Sequence, residues 1–181
     1  MSLPTTTADV LKQLQAPLKA RYREDPHSAR WVLHAAGRVR QAALACDVPT
    51  HAGNAPAGLH PAAGGDGTLA CSGDMLLEAL AGCAGVTLAA VSTALGLTLR
   101  DARVRAEGDL DFRGTLGVDK GVPVGFTAIR LIFDIDADAS LEELRRLIAM
   151  TERYCVVLQT LAKGVPVFAA LQARDTVVAG S

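Results

Sequence analysis

The stretch Ser72-Gly-Asp-Met-Leu-Leu-Glu-Ala-Leu-Ala-Gly-Cys83-Ala-Gly-Val-Thr-Leu-Ala-Ala-Val-Ser-Thr-Ala-Leu95-Gly96 decides the fold. It opens on Ser72, a side chain suited to a helix N-cap, with Asp74 in the first turn where the helix dipole favours a carboxylate. Gly96 supplies the residue that commonly ends such a helix. Residues 79–99 carry no charge and are about long enough to cross a bilayer. They consist largely of Ala, Gly, Ser and Thr rather than Leu, Ile and Phe, and Asp74 and Glu78 occupy the opening turns. The stretch therefore reads as a buried central helix and not as a membrane span.

Outward from this helix, the whole chain has 181 residues, the length of one domain. Half of the residues are hydrophobic, enough for a full core. Eighteen basic residues against nineteen acidic ones leave a net charge of -1, which offers no field for a polyphosphate backbone and argues against a nucleic-acid partner. Aromatics make up 4%, too few for base-stacking platforms. Met1-Ser2-Leu3-Pro4-Thr5 has neither the basic nor the apolar region of a secretory signal, so a cytoplasmic protein is expected. Cys46, Cys71, Cys83 and Cys155 contain no C-x-x-C pair, which disfavours both a disulfide framework and structural zinc. No metal and no cofactor is expected.

Residues 7–24 predict a helix, with Val10, Leu11, Leu14 and Leu18 at apolar spacing and Pro17 expected to kink or split it. Residues 29–40 and 41–48 have strand character and suggest a hairpin, with Gly37 as a bulge or turn. Residues 49–67, rich in Gly, Pro, Asn and His, read as a long functional loop. Two strands are expected over 102–113 and 122–136, separated by turn signals at Gly114-Thr-Leu-Gly117 and Asp119-Lys-Gly121. Ser140-Leu-Glu-Glu143 is a capping box for a helix carrying Leu141, Leu144, Leu147 and Ile148. That helix leads through Cys155 into further helical turns ending at Gly164, and a last strand is expected over 165–171. Strands mixed with a long apolar helix, without regular βαβ alternation, indicate α+β.

Among groups that carry chemistry, Cys83 is flanked by Gly82 and Gly85, which remove bulk beside the sulfur and let another backbone or a ligand approach. The same position also suits an inert core thiol. Cys155 follows Glu152 and Arg153 near a helix start, where the dipole would favour a thiolate. Spacing leaves open whether the two sulfurs meet.

Gly65-Asp-Gly67, Ser72 to Cys83 as quoted above, Glu107-Gly-Asp-Leu-Asp-Phe-Arg-Gly-Thr-Leu-Gly117 and Thr151-Glu-Arg-Tyr-Cys-Val-Val157 closely resemble the OsmC/Ohr family of thiol-dependent hydroperoxide-reducing proteins. The resemblance runs over residues 29–171; it makes 1–28 an N-terminal helical extension and 29–181 an OsmC-like domain. It implies an intertwined homodimer, with antiparallel sheets wrapped around long central helices and two active sites at the subunit interface. It also implies Cys83 as the peroxidatic and Cys155 as the resolving cysteine, reducing organic hydroperoxides and recharged by a dithiol, a lipoyl-type protein or a low-molecular-weight thiol.

The family further uses an arginine and an acidic residue. Arg38, in Ala36-Gly37-Arg38, falls where the Ohr branch has its arginine, with Arg40 as a competitor. Gly73 stands where that branch has Glu, and Asp74 fits the broader OsmC-like pattern. Val156 stands where members usually have Pro. Met75 and Leu80, with Leu76 and Val86, form an apolar neighbourhood that suits an alkyl substrate. Glu78 belongs to another helical face, Cys71 is an alternative disulfide partner or a packed thiol, and Cys46 is a packed thiol. His51 and His60 share the loop without a ligand set for a metal. The alternative functions are an OsmC-like ligand-binding or redox-sensing protein without turnover, and a structural dimeric domain.

Overall fold

The computed structural model describes residues 5–172. The first helix, α1 (Ala8–Glu24), is capped by Thr7, whose hydroxyl accepts the Val10 N–H at 3.3 Å. It runs unbroken through Pro17, so the expected split does not occur. Proline removes one ladder bond, but no residue of α1 is buried, so the carbonyl left without a donor is solvated.

Four short strands follow, β1 (Arg38–Arg40), β2 (Ala45–Thr50), β3 (Gly53–Gly58) and β4 (Ala70–Cys71), in the order β1-β2-β3-β4. The pairs β1–β2 and β2–β3 are antiparallel and β3–β4 is parallel. The expected first strand shrinks to three residues. The alternation at Trp31 and Leu33 belongs to irregular backbone, leaving these side chains 75% and 89% exposed, because no strand among the described residues offers them a ladder. The expected long loop, in turn, contains β3. Its turn is held by Thr50, whose hydroxyl donates to the Gly53 carbonyl at 2.7 Å, and Gly53 takes φ 127°, which only glycine adopts readily. Gly37 precedes β1 and is no bulge; a Cβ there would stand 2.5 Å from the Cys46 sulfur, so the glycine permits a close approach.

The central helix α2 (Ser72–Leu95) ends at Gly96 in the left-handed conformation, φ 71°, as expected. Its N-cap position is held by Cys71 and not by Ser72, because β4 carries extended backbone up to Cys71. Length and composition alone would let α2 cross a bilayer. In the fold, Leu80, Ala84, Leu88 and Val91 form its buried face, packed on a second sheet.

That sheet is a two-stranded antiparallel ribbon of β5 (Leu99–Asp109) and β6 (Ala128–Ala137). Both strands are shorter toward the connection than the sequence suggests. Phe112–Thr115 forms a helical turn, α3, capped by Asp111, and residues 122–127 are irregular. Val104, Ala106, Ile129, Leu131 and Phe133 of the ribbon meet α2.

Ser140 and Glu143 complete the expected capping box, with the Glu143 N–H donating to Ser140 Oγ at 3.3 Å and the Ser140 N–H to Glu143 Oε2 at 2.8 Å. This opens α4 (Leu141–Tyr154), followed after Cys155 by α5 (Val156–Lys163). Residues 164–172 are irregular, so the strand expected over 165–171 is absent; Val167 and Phe168 project outward without a pairing partner. The architecture is α+β, with α2 covered by the ribbon on one side and by α4 and α5 at its flank.

Candidate functional site

Cys155 is at once the C-cap of α4 and the N-cap of α5. Its N–H donates to the Thr151 carbonyl at 2.9 Å, closing one helix, and its carbonyl accepts the Gln159 N–H at 2.9 Å, starting the next. The Gln159 side chain braces the corner by donating to the Glu152 carbonyl at 2.8 Å. With extended backbone at this one residue, the Cys155 side chain turns into the core, fully buried beside Leu80 and Ala84. Cys83, half-buried on α2, packs against the same cluster. The sulfurs that spacing could not join therefore belong to one packed cluster, where each shifts the ionisation of the other.

The two thiols are not equivalent. Burial pushes the pKa of Cys83 up, but the Val157 amide, the Cys155 thiol, the Val156 amide and the Thr87 hydroxyl together outweigh it, and the Cys83 thiol lies below its ordinary value. Burial pushes Cys155 up; the Leu158 amide opposes this and the negative charge on Cys83 reinforces it. The expectation that the helix start favours a thiolate at Cys155 is thus corrected. Cys155 makes no capping bond with its own helix, and the first amides of α5 act more on the sulfur opposite. Of the two thiols, Cys83 is the one shifted toward ionisation and Cys155 the one shifted away from it.

Of the other expected site residues, Leu80 is fully buried and lines a cavity of ≈ 330 Å³ with Phe126, Ile129, Leu131, Leu158 and Leu161. All of these except Phe126 belong to the cluster around the thiol pair, so cavity and thiols share a wall. Met75 is half-buried on the first turn of α2, away from this wall. Asp74 is exposed; nine residues of helix turn it to about the opposite face from Cys83 and set it roughly 13 Å further along the axis. Arg40 is engaged with Asp47 at 2.9 Å, whereas Arg38 is exposed and joins no ion pair among the described residues. No guanidinium is among the groups that set the Cys83 thiol. A single chain therefore joins Cys83, Cys155 and Leu80 but does not bring Arg38 or Asp74 to them.

Cys71 cannot be a disulfide partner of Cys83 without unwinding α2, because twelve residues of helix separate them by about 18 Å against a limit near 7 Å. His60 has a structural place: its Nδ1 accepts the Ala62 N–H at 3.0 Å and its ring stacks on Phe112 at 4.8 Å. The sequence reading missed Thr87 and the α5 amides. A hydroxyl one helical turn after a cysteine is the only signal that Thr87 carried.

Residues 65–168, more than half of the chain and inclusive of Cys83 and Cys155, match the model of a family described as OsmC-like protein. An OsmC-like protein from Mycoplasma pneumoniae superposes with a TM-score of 0.61 at 17% identity, over 75% of this chain and 89% of that one. An organic hydroperoxide resistance protein from Elizabethkingia anophelis gives 0.58 at 14% identity, over 75% and 92%. One from Legionella pneumophila gives 0.57 at 16% identity, over 73% and 91%. At such identities the likeness is one of fold. No curated protein matches the chain in sequence.

Proposed function

The chain belongs to the OsmC-like protein family, and from that premise we propose that it is a thiol peroxidase that reduces organic hydroperoxides through Cys83 and Cys155. The observation that carries this reading is that Cys83 and Cys155, 72 residues apart, pack in one cluster with their thiols shifted in opposite directions, Cys83 toward ionisation and Cys155 away from it. The Cys83 thiolate attacks the outer oxygen of the hydroperoxide, the O–O bond breaks, and the alkoxide takes up a proton and leaves as the alcohol. Cys83 is left as the sulfenic acid. Cys155 then attacks that sulfur, the S–S bond forms, and the hydroxyl departs with the Cys155 proton as water. One hydroperoxide and two thiols give an alcohol, water and a disulfide, which an external dithiol or lipoyl-type protein reduces.

The apolar cavity beside the pair suits an alkyl or aryl group better than hydrogen peroxide. The face of α2 that bears Leu76, Ala79, Gly82 and Val86 is open to solvent in the single chain, with Val86 73% exposed, and Cys83 borders it. In this reading a second copy covers that face, and Arg38 and Asp74 act on Cys83 from the second copy. The protein works in the cytoplasm as a homodimer. The test is thiol titration before and after one equivalent of cumene hydroperoxide. A loss of two thiols is expected, and retention of all four would overturn the peroxidase.

The second reading is an OsmC-like protein that binds a small apolar ligand, or senses redox state, without turnover. Gly73 in place of the acid favours it. Retention of all four thiols, or loss of two that dithiothreitol restores without sustained consumption of hydroperoxide in its presence, would select it.

A further inference from the structure

A second cavity, of ≈ 290 Å³, lies where three segments distant in sequence meet: the turn after β3, the first residues of α2 and the connection between β5 and β6. Leu59, His60, Cys71, Phe112, Val124 and Phe126 are among the residues that line it. Its lining shares only Phe126 with the cavity beside the thiol pair, so that ring is the partition between the two. A Cβ on Gly73 would stand 3.4 Å from the ring and 3.6 Å from the Cys71 sulfur, which places sulfur and ring at the same spot of the wall.

The walls are held in place from behind. His60 fixes its own turn by accepting the Ala62 N–H, and Asp111 caps the turn that carries Phe112 by accepting the Arg113 N–H at 3.0 Å. The two rings so placed stack on each other with their planes 22° apart. Gly65 lies against the Leu59 carbonyl and Gly114 against the Pro123 carbonyl, each too close for a Cβ, so the rims around Leu59 and Val124 are tied down as well. Each wall is thus fixed by contacts outside the cavity, as in a preformed ligand pocket.

No Asp, Glu, Lys or Arg lines the cavity, so a charged ligand would lose its hydration there without gaining a counter-charge. Two of the four phenylalanines of a chain with only 4% aromatic residues stand in this one lining, beside an imidazole. Their edges and faces favour another ring over a saturated group of equal area. We propose that this cavity is a second ligand site, separate from the thiol pair, which takes a small uncharged aryl compound. The site stands whether or not Cys83 and Cys155 turn over hydroperoxide.

The test is calorimetric titration of the full chain with indole, followed by iodoacetamide labelling with each cysteine read by peptide mass mapping. Saturable binding of indole is expected, with cyclohexanol about tenfold weaker and benzoate weaker still. Bound indole should slow labelling of Cys71, which lines the site, and leave Cys83 at its own rate. Phe112→Leu keeps an apolar side chain but removes a ring, and should weaken indole by about tenfold. Val124→Trp fills the cavity from a residue that is 65% exposed, and should abolish binding with the urea midpoint near that of the wild type. No saturable binding of indole, or a Val124→Trp protein that binds it as the wild type does, overturns the site. Protection of Cys83 in place of Cys71 assigns the ligand to the thiol cavity and overturns it too. Cyclohexanol or benzoate bound as tightly as indole overturns the aryl class. Hydroperoxide consumption enters none of these measurements, so a chain that consumes none and still protects Cys71 loses the peroxidase and keeps the site. A chain that consumes hydroperoxide but binds no indole has the opposite meaning.

Discussion

Cys155 packs into the same buried cluster as Cys83 from the single residue at which one helix ends and the next begins. The backbone of that corner thereby bears on both partners: it buries one sulfur, and the first amides of the second helix help hold the Cys83 thiol below its ordinary value. Cys83→Ser is expected to abolish hydroperoxide consumption with little change in melting temperature, since a serine hydroxyl is nearly isosteric but far less nucleophilic at neutral pH. Cys155→Ser should allow one turnover and then accumulate sulfenic or more highly oxidised Cys83, read by intact mass. Undiminished steady-state turnover in Cys83→Ser would refute the assignment.

The direction of the two shifts fixes a pH order. Cys83 lies below the ordinary thiol value and Cys155 above it, so as pH rises Cys83 becomes thiolate first. Alkylation and hydroperoxide attack should both have their midpoint below the roughly 8.5 of a free cysteine. Mass mapping should find Cys83 modified well before Cys155 at every pH. Modification of Cys155 first would reverse the assigned roles.

Gly108 tests the wall of the cavity. A Cβ there would stand 2.6 Å from the Phe126 ring, which also reaches to 3.4 Å of a Cβ on Gly73. Phe126 lines the cavity beside the thiols and is hemmed in on both sides by glycine. Gly108→Ala should therefore destabilise the fold by about 1–3 kcal/mol through overpacking. It should also raise KM for a bulky hydroperoxide more than it changes alkylation of Cys83. An unchanged urea midpoint would show that the ring swings away freely.

Local chemistry made much of this fold legible. The Gly96 end of α2, the Ser140–Glu143 capping box and the β5–β6 ribbon all follow from contacts among near neighbours or from strict alternation. What failed depends on partners distant in sequence. Trp31 to Ala35 alternates like a strand but finds no ladder within the chain, whereas β3, full of Gly, Pro and Asn, becomes a strand because β2 lies beside it. In the site, the helix start at Cys155 was visible, but the direction in which the side chain turned was not, and that direction decides which sulfur the amides serve.

The open face of α2 makes a prediction about assembly. Val86 is 73% exposed in the single chain, so Val86→Arg costs the monomer almost nothing. If a second copy covers that face, the charge is buried unpaired and the dimer is lost, since an unpaired charge in an apolar interface is strongly unfavourable. Light scattering at micromolar concentration should show a dimer for wild type and a monomer for Val86→Arg. A wild-type monomer, or a Val86→Arg dimer, would place the interface elsewhere.

Asp74 distinguishes an acid that works through the partner from one that only complements its helix. It is exposed and about half a turn round α2 from Cys83, so within one chain it cannot orient a group against that sulfur. Its charge at the helix N-terminus is worth roughly 0.3–1 kcal/mol whatever else it does, and Asp74→Asn should lower stability by about that much in any background. The kinetic effect is different. If the second copy supplies Arg38 and Asp74 to the site, Asp74→Asn should slow Cys83 alkylation at neutral pH by about tenfold in the dimer, because the cation is no longer held against the thiolate. In the Val86→Arg background, where the copies are apart, the same substitution should leave the profile where it was. Profiles that coincide in both backgrounds would leave Asp74 as a dipole-complementing residue. The Cys83 thiolate would then depend on the donors of its own chain alone.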